Sequence, residues 1–321
     1  MKKFILKIIY LSLPILVIAI VMEILLRNIP NDYLLKSQYL DKHSSEIETL
    51  ILGSSHAFYG LNPVCFSSKT FNAANIAQTL NYDYEIIKKY QNNFKNLKTI
   101  VLPISYFTLY KKLETAPESW RVKNYMIYYK MHCSKSITYY SEVLCNRIYI
   151  NIIRLISYYV LGDPTISCSD LGWGNTYNSK NAKDLVKSGK DAARRYTVKD
   201  IYSDMNQQIF KENVFILESI LRWSKKNNIK ILLFTPPGYK TYSENLNPVQ
   251  METTINTTRE ICLKYDNCIY INLQSDTNFV ASDYYDGDHL SEIGAKKLSV
   301  FINKIINEWK KAHTHSSILK H

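Results

Sequence analysis

Short apolar runs alternate with helical patterns in two parts of this 321-residue chain, and this alternation limits its fold more than any other feature. Four apolar runs have the length of strands, at residues 47–52, 97–104, 229–234 and 268–273. Four segments have the apolar spacing of helices, at residues 82–94, 209–226, 249–264 and 291–310. Strands joined through helices need crossover connections, so the pattern predicts an α/β fold with a parallel sheet, whose ligands bind at the carboxyl ends of the strands.

The alternation is lost between residues 107 and 206, a segment rich in Tyr, Lys, Ser and Asn. We interpret it as an insertion with helices at 125–130 and 137–161 and a loop around Trp173, which either stacks on carbohydrate or packs over a turn. The predicted organisation is a transmembrane anchor (1–30), a linker (31–45), a core in two parts (46–106 and 207–312), the insertion (107–206) and a tail (313–321).

The N-terminus contains an almost uninterrupted apolar run at residues 8–26, close to the roughly 20 residues that a spanning helix needs. It is long for a signal peptide, and no small-residue cleavage site follows it. Lys2, Lys3 and Lys7 precede the run and Arg27 follows it, which predicts a single-pass protein with a cytoplasmic N-terminus and an extracytoplasmic domain. Glu23, near the outer end, either reaches the lipid headgroups or pairs with another membrane protein.

The composition of the chain limits which partners and cofactors we expect for it. The 46% hydrophobic content excludes a disordered chain, and the net charge of +12 suits an anionic surface such as phospholipid, an acidic polymer or nucleic acid. An extracytoplasmic location makes nucleic acid an unsuitable partner. The six cysteines permit disulfides, with Cys262 near Cys268 and Cys133 near Cys145, but the pairing stays open. Without a Cys-x-x-Cys motif or ligand spacing between His and Cys, we expect no metal and no cofactor.

A possible nucleophile follows the first predicted strand. Gly53-Ser54-Ser55 forces a sharp turn that would expose the Ser55 hydroxyl at the edge of the sheet. The alternative is that Ser55 only caps the next helix. His56 is a poor base for Ser55, because adjacent side chains seldom point at each other.

A possible base lies in the loop before the last predicted helix. His289 is preceded three residues earlier by Asp286, a spacing that allows the carboxylate to accept the ring N–H and fix the tautomer. Asp288 is expected to be a solvated loop carboxylate. The two loops would meet at one edge of a parallel sheet, so Ser55, His289 and Asp286 are the predicted catalytic residues.

These two loops resemble blocks of the SGNH (GDSL-like) hydrolase superfamily. Gly53-Ser54-Ser55 resembles the first block and Asp286–His289 the last, over a resemblance that covers residues 47–106 and 209–310. The residues around both blocks are similar to the membrane-anchored branch, whose proteins act in surface-polysaccharide O-acetylation and teichoic-acid D-alanylation. The resemblance implies a flavodoxin-like three-layer sandwich, with Ser55 as nucleophile, His289 as base and Asp286 as its orienting partner.

The sequence departs from the family pattern at three places. Ser54 replaces the usual Asp, and Ala74 stands where the second block offers a glycine amide to the oxyanion. The third block lacks its Asn, so Ser105 or Asn75 is the candidate for the remaining donor. Loss of one oxyanion donor typically costs about 10²–10³ in turnover.

The expected function is acyl transfer through a serine ester. We expect an O-acyltransferase, most simply of acetyl groups, that modifies a cell-surface or exported polysaccharide and receives the acyl group from a multi-pass membrane acyltransferase. Membrane lipid is a further expected partner. A carbohydrate esterase with the same residues and a non-catalytic glycan-binding or assembly subunit are the alternatives.

Overall fold

The sheet is parallel throughout. A computed structural model of the protein describes residues 1–318 and contains five strands: β1 (Thr49–Ile51), β2 (Thr70–Asn72), β3 (Thr99–Pro103), β4 (Lys230–Thr235) and β5 (Cys268–Asn272). Their order is β2-β1-β3-β4-β5, so the predicted α/β class and flavodoxin-like topology are confirmed. The chain order reverses between β1 and β3, and the carboxyl ends of those two strands are where such folds bind ligands.

Helices cover both faces of the sheet. In chain order they are α1 (Lys2–Arg27), α2 (Asp32–His43), α3 (Ser55–Gly60), α4 (Leu80–Tyr90), α5 (Val122–Ile127), α6 (Glu142–Cys145), α7 (Ile148–Tyr159), α8 (Leu185–Tyr196), α9 (Asp204–Lys226), α10 (Lys240–Ser243), α11 (Pro248–Leu263) and α12 (Glu292–Ile318). Helices α4, α9 and α11 pack on one face, and α3 and α12 on the other. The last helix extends beyond its predicted end at residue 310, and residues 319–321 of the predicted tail lie outside the described residues.

The alternation of side chains along each strand divides the core into two layers. Leu50, Ile100 and Ile231 point to the layer that contains α4 and α9. Their neighbours Ile51, Val101 and Leu232 point to the layer that contains α3 and α12. Each such buried aliphatic side chain contributes roughly 1.5–3 kcal/mol to folding, so sheet and helices form one three-layer unit.

Several elements were not predicted from the sequence. Strand β2 has only three residues and gives too short a signal. Residues 31–45, expected as a linker, contain α2, which begins with an Asn31 side-chain cap and buries Tyr33 and Leu40 in the core. Helix α8, within residues 107–206, is mostly polar and buries only Gly189, Ala192 and Ala193.

Helix α1 contains the only segment of residues 1–318 that is long and apolar enough to cross a membrane, Tyr10–Arg27. Its Glu23 carboxylate accepts hydrogen bonds from Ser141 Oγ at 2.7 Å and from the backbone N–H of Glu142 at 3.0 Å and Val143 at 2.9 Å. Glu23 therefore caps α6 of the same chain, which differs from both partners expected for it.

The structure also defines which cysteines pair and what Trp173 packs against. Cys262 and Cys268 form a disulfide between the end of α11 and the start of β5, whereas Cys133 and Cys145 are both free thiols. Trp173 donates from Nε1 to the carbonyl oxygen of Tyr59 at 2.8 Å, so it packs over α3.

Candidate active site

A glycine that no other residue could replace begins the turn before Ser55. Gly53 has a φ of +112°, and a Cβ there would lie 2.7 Å from Cγ of Pro103 on β3. Its N–H donates to Asp83 Oδ1 at 2.7 Å, and burial raises the pKa of Asp83 to about 7. The turn makes Ser55 the first residue of α3, directly beyond the carboxyl end of β1.

Ser55, His289 and Asp286 form one hydrogen-bonded chain. Ser55 Oγ lies 2.8 Å from Nε2 of His289, whose Nδ1 lies 2.9 Å from Oδ1 of Asp286. Asp286 Oδ1 also accepts the backbone N–H groups of Asp288 at 3.2 Å and His289 at 2.8 Å. The carboxylate thus fixes both the loop and the imidazole, and the three residues are only 6–7% exposed. Residues 234 positions apart in the chain meet in the arrangement that the sequence predicts for them.

Residues 183–189, at the start of α8 and just before it, form a wall against this loop. The N–H of Gly287 donates to Ser188 Oγ at 2.9 Å, and the N–H of Lys183 donates to the carbonyl oxygen of Tyr285 at 2.7 Å. A Cβ on Gly287 would lie 2.2 Å from Cα of Gly189, so the two backbones touch. Sequence reasoning left this segment unassigned, because it has no motif that links it to the loop.

Three tyrosines pack beside the imidazole of His289. Tyr177 stacks between Tyr59, at a centroid distance of 3.6 Å, and Tyr285, at 3.9 Å. The ring of Tyr177 also meets His289 edge-to-face at 5.4 Å. The stack joins α3, residue 177 and the loop after β5, and it keeps bulk water from that side of the imidazole. No residue spacing in the sequence indicates this stack.

Asp288 is not the solvated loop carboxylate that the sequence led us to expect. Its side chain is buried, with Oδ1 3.5 Å from Nδ1 of His289 and Oδ2 3.5 Å from Nε2 of His56. The Arg195 guanidinium of α8 lies 3.8 Å from Oδ1. The sequence contains no information on what covers residue 288, and the packing of α8 on this loop explains the difference.

His56 belongs to a second grouping of the same residue types. Its Nδ1 lies 2.6 Å from Ser105 Oγ, just after β3, and its ring centre is 5.0 Å from that of His289. His56 Nε2 and Asp288 Oδ2 are both buried without a hydrogen-bond partner, since 3.5 Å is too long for one. As expected, His56 is not the partner of Ser55.

Charges and burial set the two histidines to opposite protonation states. Burial lowers the pKa of His289, but the nearby Asp288 and Asp286 carboxylates outweigh it and raise this pKa to about 10. Burial lowers the pKa of His56, and the charge of His289 acts in the same direction. The pKa of Asp288 is well below its ordinary range, because the attraction of His289 overcomes the cost of burying the carboxylate.

The three predicted oxyanion donors all have partners within the protein. The Ala74 N–H donates to Asn72 Oδ1 at 3.0 Å, and Asn75 Nδ2 donates to Gln78 Oε1 at 3.0 Å. Ser105 Oγ is bound to His56. Ala74 and Asn75 follow β2 and Ser105 follows β3, so all three lie on the same edge of the sheet as Ser55. Their part in stabilising an oxyanion stays a prediction.

Within the part of the chain that the structure describes, the side chains that could hold a metal ion are His56, Asp288 and His289, whose donor atoms lie within 4.8 Å of one another. Two imidazoles and one carboxylate form a donor set that suits zinc. In His289, however, the atom nearest Asp288 is Nδ1, which is already bound to Asp286. The expectation that the protein needs no metal stays a prediction.

A family model described as "Protein of unknown function (DUF1574)" matches residues 67–302, well over half of the chain. The chain belongs to this family. The match includes Asp286 and His289, whereas Ser55 precedes it. No curated protein matches the sequence. A solved structure described as "The structure of a putative platelet activating factor from Streptococcus pneumonia" is similar at 12% identity and a TM-score of 0.38, over 90% of this chain and 95% of that one. A TM-score this low carries no information about activity.

Proposed function

We propose that this DUF1574 protein is a membrane-anchored serine O-acyltransferase of the SGNH superfamily, which transfers acyl groups, most simply acetyl, to a cell-surface or exported polysaccharide. The observation that carries the proposal is the unbroken hydrogen-bonded chain from Ser55 through His289 to Asp286. It stands where the strand order reverses, which is the place where open α/β sheets bind their ligands.

Each half of the reaction passes one proton through His289. Neutral His289 takes the proton of Ser55 Oγ at Nε2 while the oxygen attacks the acyl carbonyl, and the imidazolium then gives this proton to the leaving group. Asp286 accepts the N–H on Nδ1 and stabilises the transient positive charge. An acceptor hydroxyl then loses its proton to Nε2 and attacks the carbonyl carbon of the Ser55 ester. The bond between Ser55 Oγ and the acyl carbon breaks, Nε2 returns the proton to Oγ, and the acceptor leaves with the acyl group.

The same residues would serve an esterase, in which water replaces the sugar hydroxyl as acceptor. We favour transfer because the protein combines a spanning helix with a basic ectodomain, which suits a glycan at the cell surface. In this proposal α1 crosses the membrane with a cytoplasmic N-terminus. Acyl-CoA is absent outside the cell, so a multi-pass membrane acyltransferase supplies the acyl group.

A second candidate is a non-catalytic glycan-binding or assembly subunit that retains the fold. One observation favours it, namely that Ala74, Asn75 and Ser105 are all engaged with other protein groups. Catalysis would then lack prepared oxyanion donors, unless substrate binding displaces these partners.

One experiment separates these candidates. The full-length protein in detergent is incubated with an activated acetyl ester, and Ser55 is examined for an acetyl adduct by peptide mass spectrometry. The acyltransferase proposal expects an adduct on Ser55 that is absent in Ser55→Ala, and acetylated product when a glycan acceptor is added. Free acetate without acylated glycan would support the esterase, and an unmodified Ser55 that is also inert to a serine-directed phosphonate would support the binding subunit.

A further inference from the structure

Helix α7 turns its apolar side away from the protein. Six large side chains form one stripe along it, each 44–57% exposed: Ile148, Tyr149, Ile152, Ile153, Ile156 and Tyr159. Their spacing of three, four and one residues places them on one face of the helix. We call this set the outer stripe. Soluble proteins seldom expose an apolar patch of this kind unless something covers it.

The one fully buried residue of α7 is polar, whereas a helix on a soluble domain normally buries apolar residues. Asn151 is fully buried, and its Nδ2 donates to the Glu142 carbonyl oxygen at 3.3 Å. Arg154 donates from Nη1 to the buried Glu142 carboxylate at 2.6 Å, and Lys123 pairs with the same carboxylate. The helix is therefore held to the protein by a hydrogen-bonded ionic network, and its hydrophobic surface is left for another environment.

The position of α7 beside α1 indicates which environment this is. Tyr159 Oη donates to the carbonyl oxygen of Leu25 in the last turn of α1 at 3.0 Å. Glu23, one turn earlier, caps the adjoining helix α6, and Arg27 donates to the Tyr140 carbonyl oxygen at 2.5 Å. The outer stripe thus reaches the end of the candidate spanning segment, where apolar residues of α1 such as Val21 and Ile24 are also exposed.

We propose that α7 lies in the headgroup region of the membrane that α1 crosses, with the outer stripe in contact with phospholipid. A helix of 12 residues is about 18 Å long, enough to lie flat at a bilayer surface. Tyr149 and Tyr159 near its two ends suit the interface between acyl chains and headgroups, and exposed Arg147 at its start suits anionic phosphate. Lipid is favoured over a protein partner because the stripe adjoins α1 at the level where the bilayer ends.

This second contact would fix the orientation of the ectodomain relative to the membrane. A single spanning helix followed by a flexible linker would leave the ectodomain free to tilt, whereas α1 and α7 together define a plane. The inference rests on α1 crossing the membrane, as proposed above, and is independent of whether Ser55 is a nucleophile. It gives part of the 107–206 segment a role that the catalytic chain does not use.

The test uses the full-length protein in nanodiscs of phosphatidylcholine and phosphatidylglycerol in equal amounts. A photoreactive benzophenone amino acid is placed at Ile153 in the outer stripe, at Val17 in α1, or at Phe215, which is 64% exposed on α9. After illumination, lipid adducts are counted by mass spectrometry. We expect adducts at both Ile153 and Val17, each at least about tenfold more abundant than at Phe215.

Each other outcome overturns the inference in a recognisable way. Adducts at Val17 with none at Ile153 show that α1 is in lipid and α7 is not. Adducts from Ile153 to a second copy of the chain show that the outer stripe is a protein interface. Absence of lipid adducts at Val17 would show that α1 does not cross the membrane, and the proposed position of α7 would then be wrong as well. None of these results depends on enzymatic activity.

Discussion

Two serine, histidine and aspartate groupings lie side by side in this protein, and they differ in continuity. Ser55, His289 and Asp286 are joined by hydrogen bonds of 2.8 and 2.9 Å. In the other grouping Ser105 is bound to His56 at 2.6 Å, but His56 and Asp288 stay 3.5 Å apart. The same three residue types are therefore hydrogen-bonded differently in the two groupings. In both groupings the histidine is bound to its serine, but only in the first is the ring hydrogen-bonded to a carboxylate that stabilises the imidazolium formed when the serine loses its proton.

The largest expected difference between the groupings is in their serines. Ser55→Ala should reduce turnover of an activated acetyl ester by at least about 10⁴-fold, because the acyl-enzyme can no longer form. Ser105→Ala, the matched substitution, should lose no more than the about 10²–10³-fold that removal of one oxyanion donor costs, since it keeps the Ser55 nucleophile and removes one hydrogen bond to His56. Steady-state kinetics on both purified variants provides the measurement. Comparable losses in both would mean that the distinction based on hydrogen-bond continuity is wrong.

Substitution of the two aspartates should give a smaller difference in kcat, and the larger loss should again be in the continuous grouping. Asp286→Asn should lower kcat by about 10²–10³-fold at the pH optimum of each variant, because the amide no longer stabilises the imidazolium. Asp288→Asn should lower it by less than about tenfold, since His289 keeps its partner Asp286. Thermal unfolding of both variants serves as a control, because Asp286 also accepts two backbone N–H groups of its loop. If Asp288→Asn proved the more damaging variant, Asp288 would be the true partner of His289.

The pH dependence should reveal what Asp288 contributes. With its pKa raised to about 10, His289 carries a proton on Nε2 at neutral pH and cannot accept the one from Ser55. We therefore expect kcat/KM to increase as pH rises toward 10, by about tenfold per unit. Asp288→Asn removes the carboxylate that raises this pKa most, so its profile should shift to lower pH. At pH 7 this variant should then be more active than the wild type.

An NMR titration of the His289 imidazole tests the same shift without any substrate. A lower pKa in Asp288→Asn than in the wild type is the expected result. An unchanged pKa would show that the charge of Asp288 does not act on His289. The free energy of unfolding provides a second check. Because folding raises the pKa of His289, the stabilisation that this residue contributes should be complete below about pH 6.5 and should disappear as the pH rises toward 10.

Sequence reasoning found the parts of the site that local chemistry determines. Gly53 marks the turn before Ser55 because only glycine tolerates its φ of +112°, and the Asp286 to His289 spacing lets one carboxylate bind both ring and backbone. The strand pattern predicted the parallel sheet because buried strands need apolar residues on both faces. These features depend on neighbours within a few residues.

The parts that sequence reasoning missed depend on distant segments. Asp288 looked solvated because nothing near it in sequence shows that α8 covers the loop, with Arg195 close to the carboxylate. His56 looked unimportant because its partner Ser105 lies 49 positions away. The linker expected at 31–45 is helix α2, since its burial of Tyr33 and Leu40 depends on the core that forms around it. Tertiary packing decides such cases, and short-range patterns do not contain it.

The smallest expected effect concerns metal. His56 and Asp288 of the interrupted grouping and His289 of the continuous one have donor atoms within 4.8 Å of one another, and together they have the composition of a metal site. A metal bound to Nδ1 of His289 would have to displace Asp286, which is fixed by two backbone N–H groups as well as by the ring. Treatment with a chelator should therefore change ester turnover by less than about twofold, with added zinc as the matched condition. A loss of turnover that added zinc reverses, and that does not occur in His56→Gln, would instead make His56 and Asp288 a metal centre that controls His289. The two groupings would then differ as a catalytic base and the metal site that regulates it.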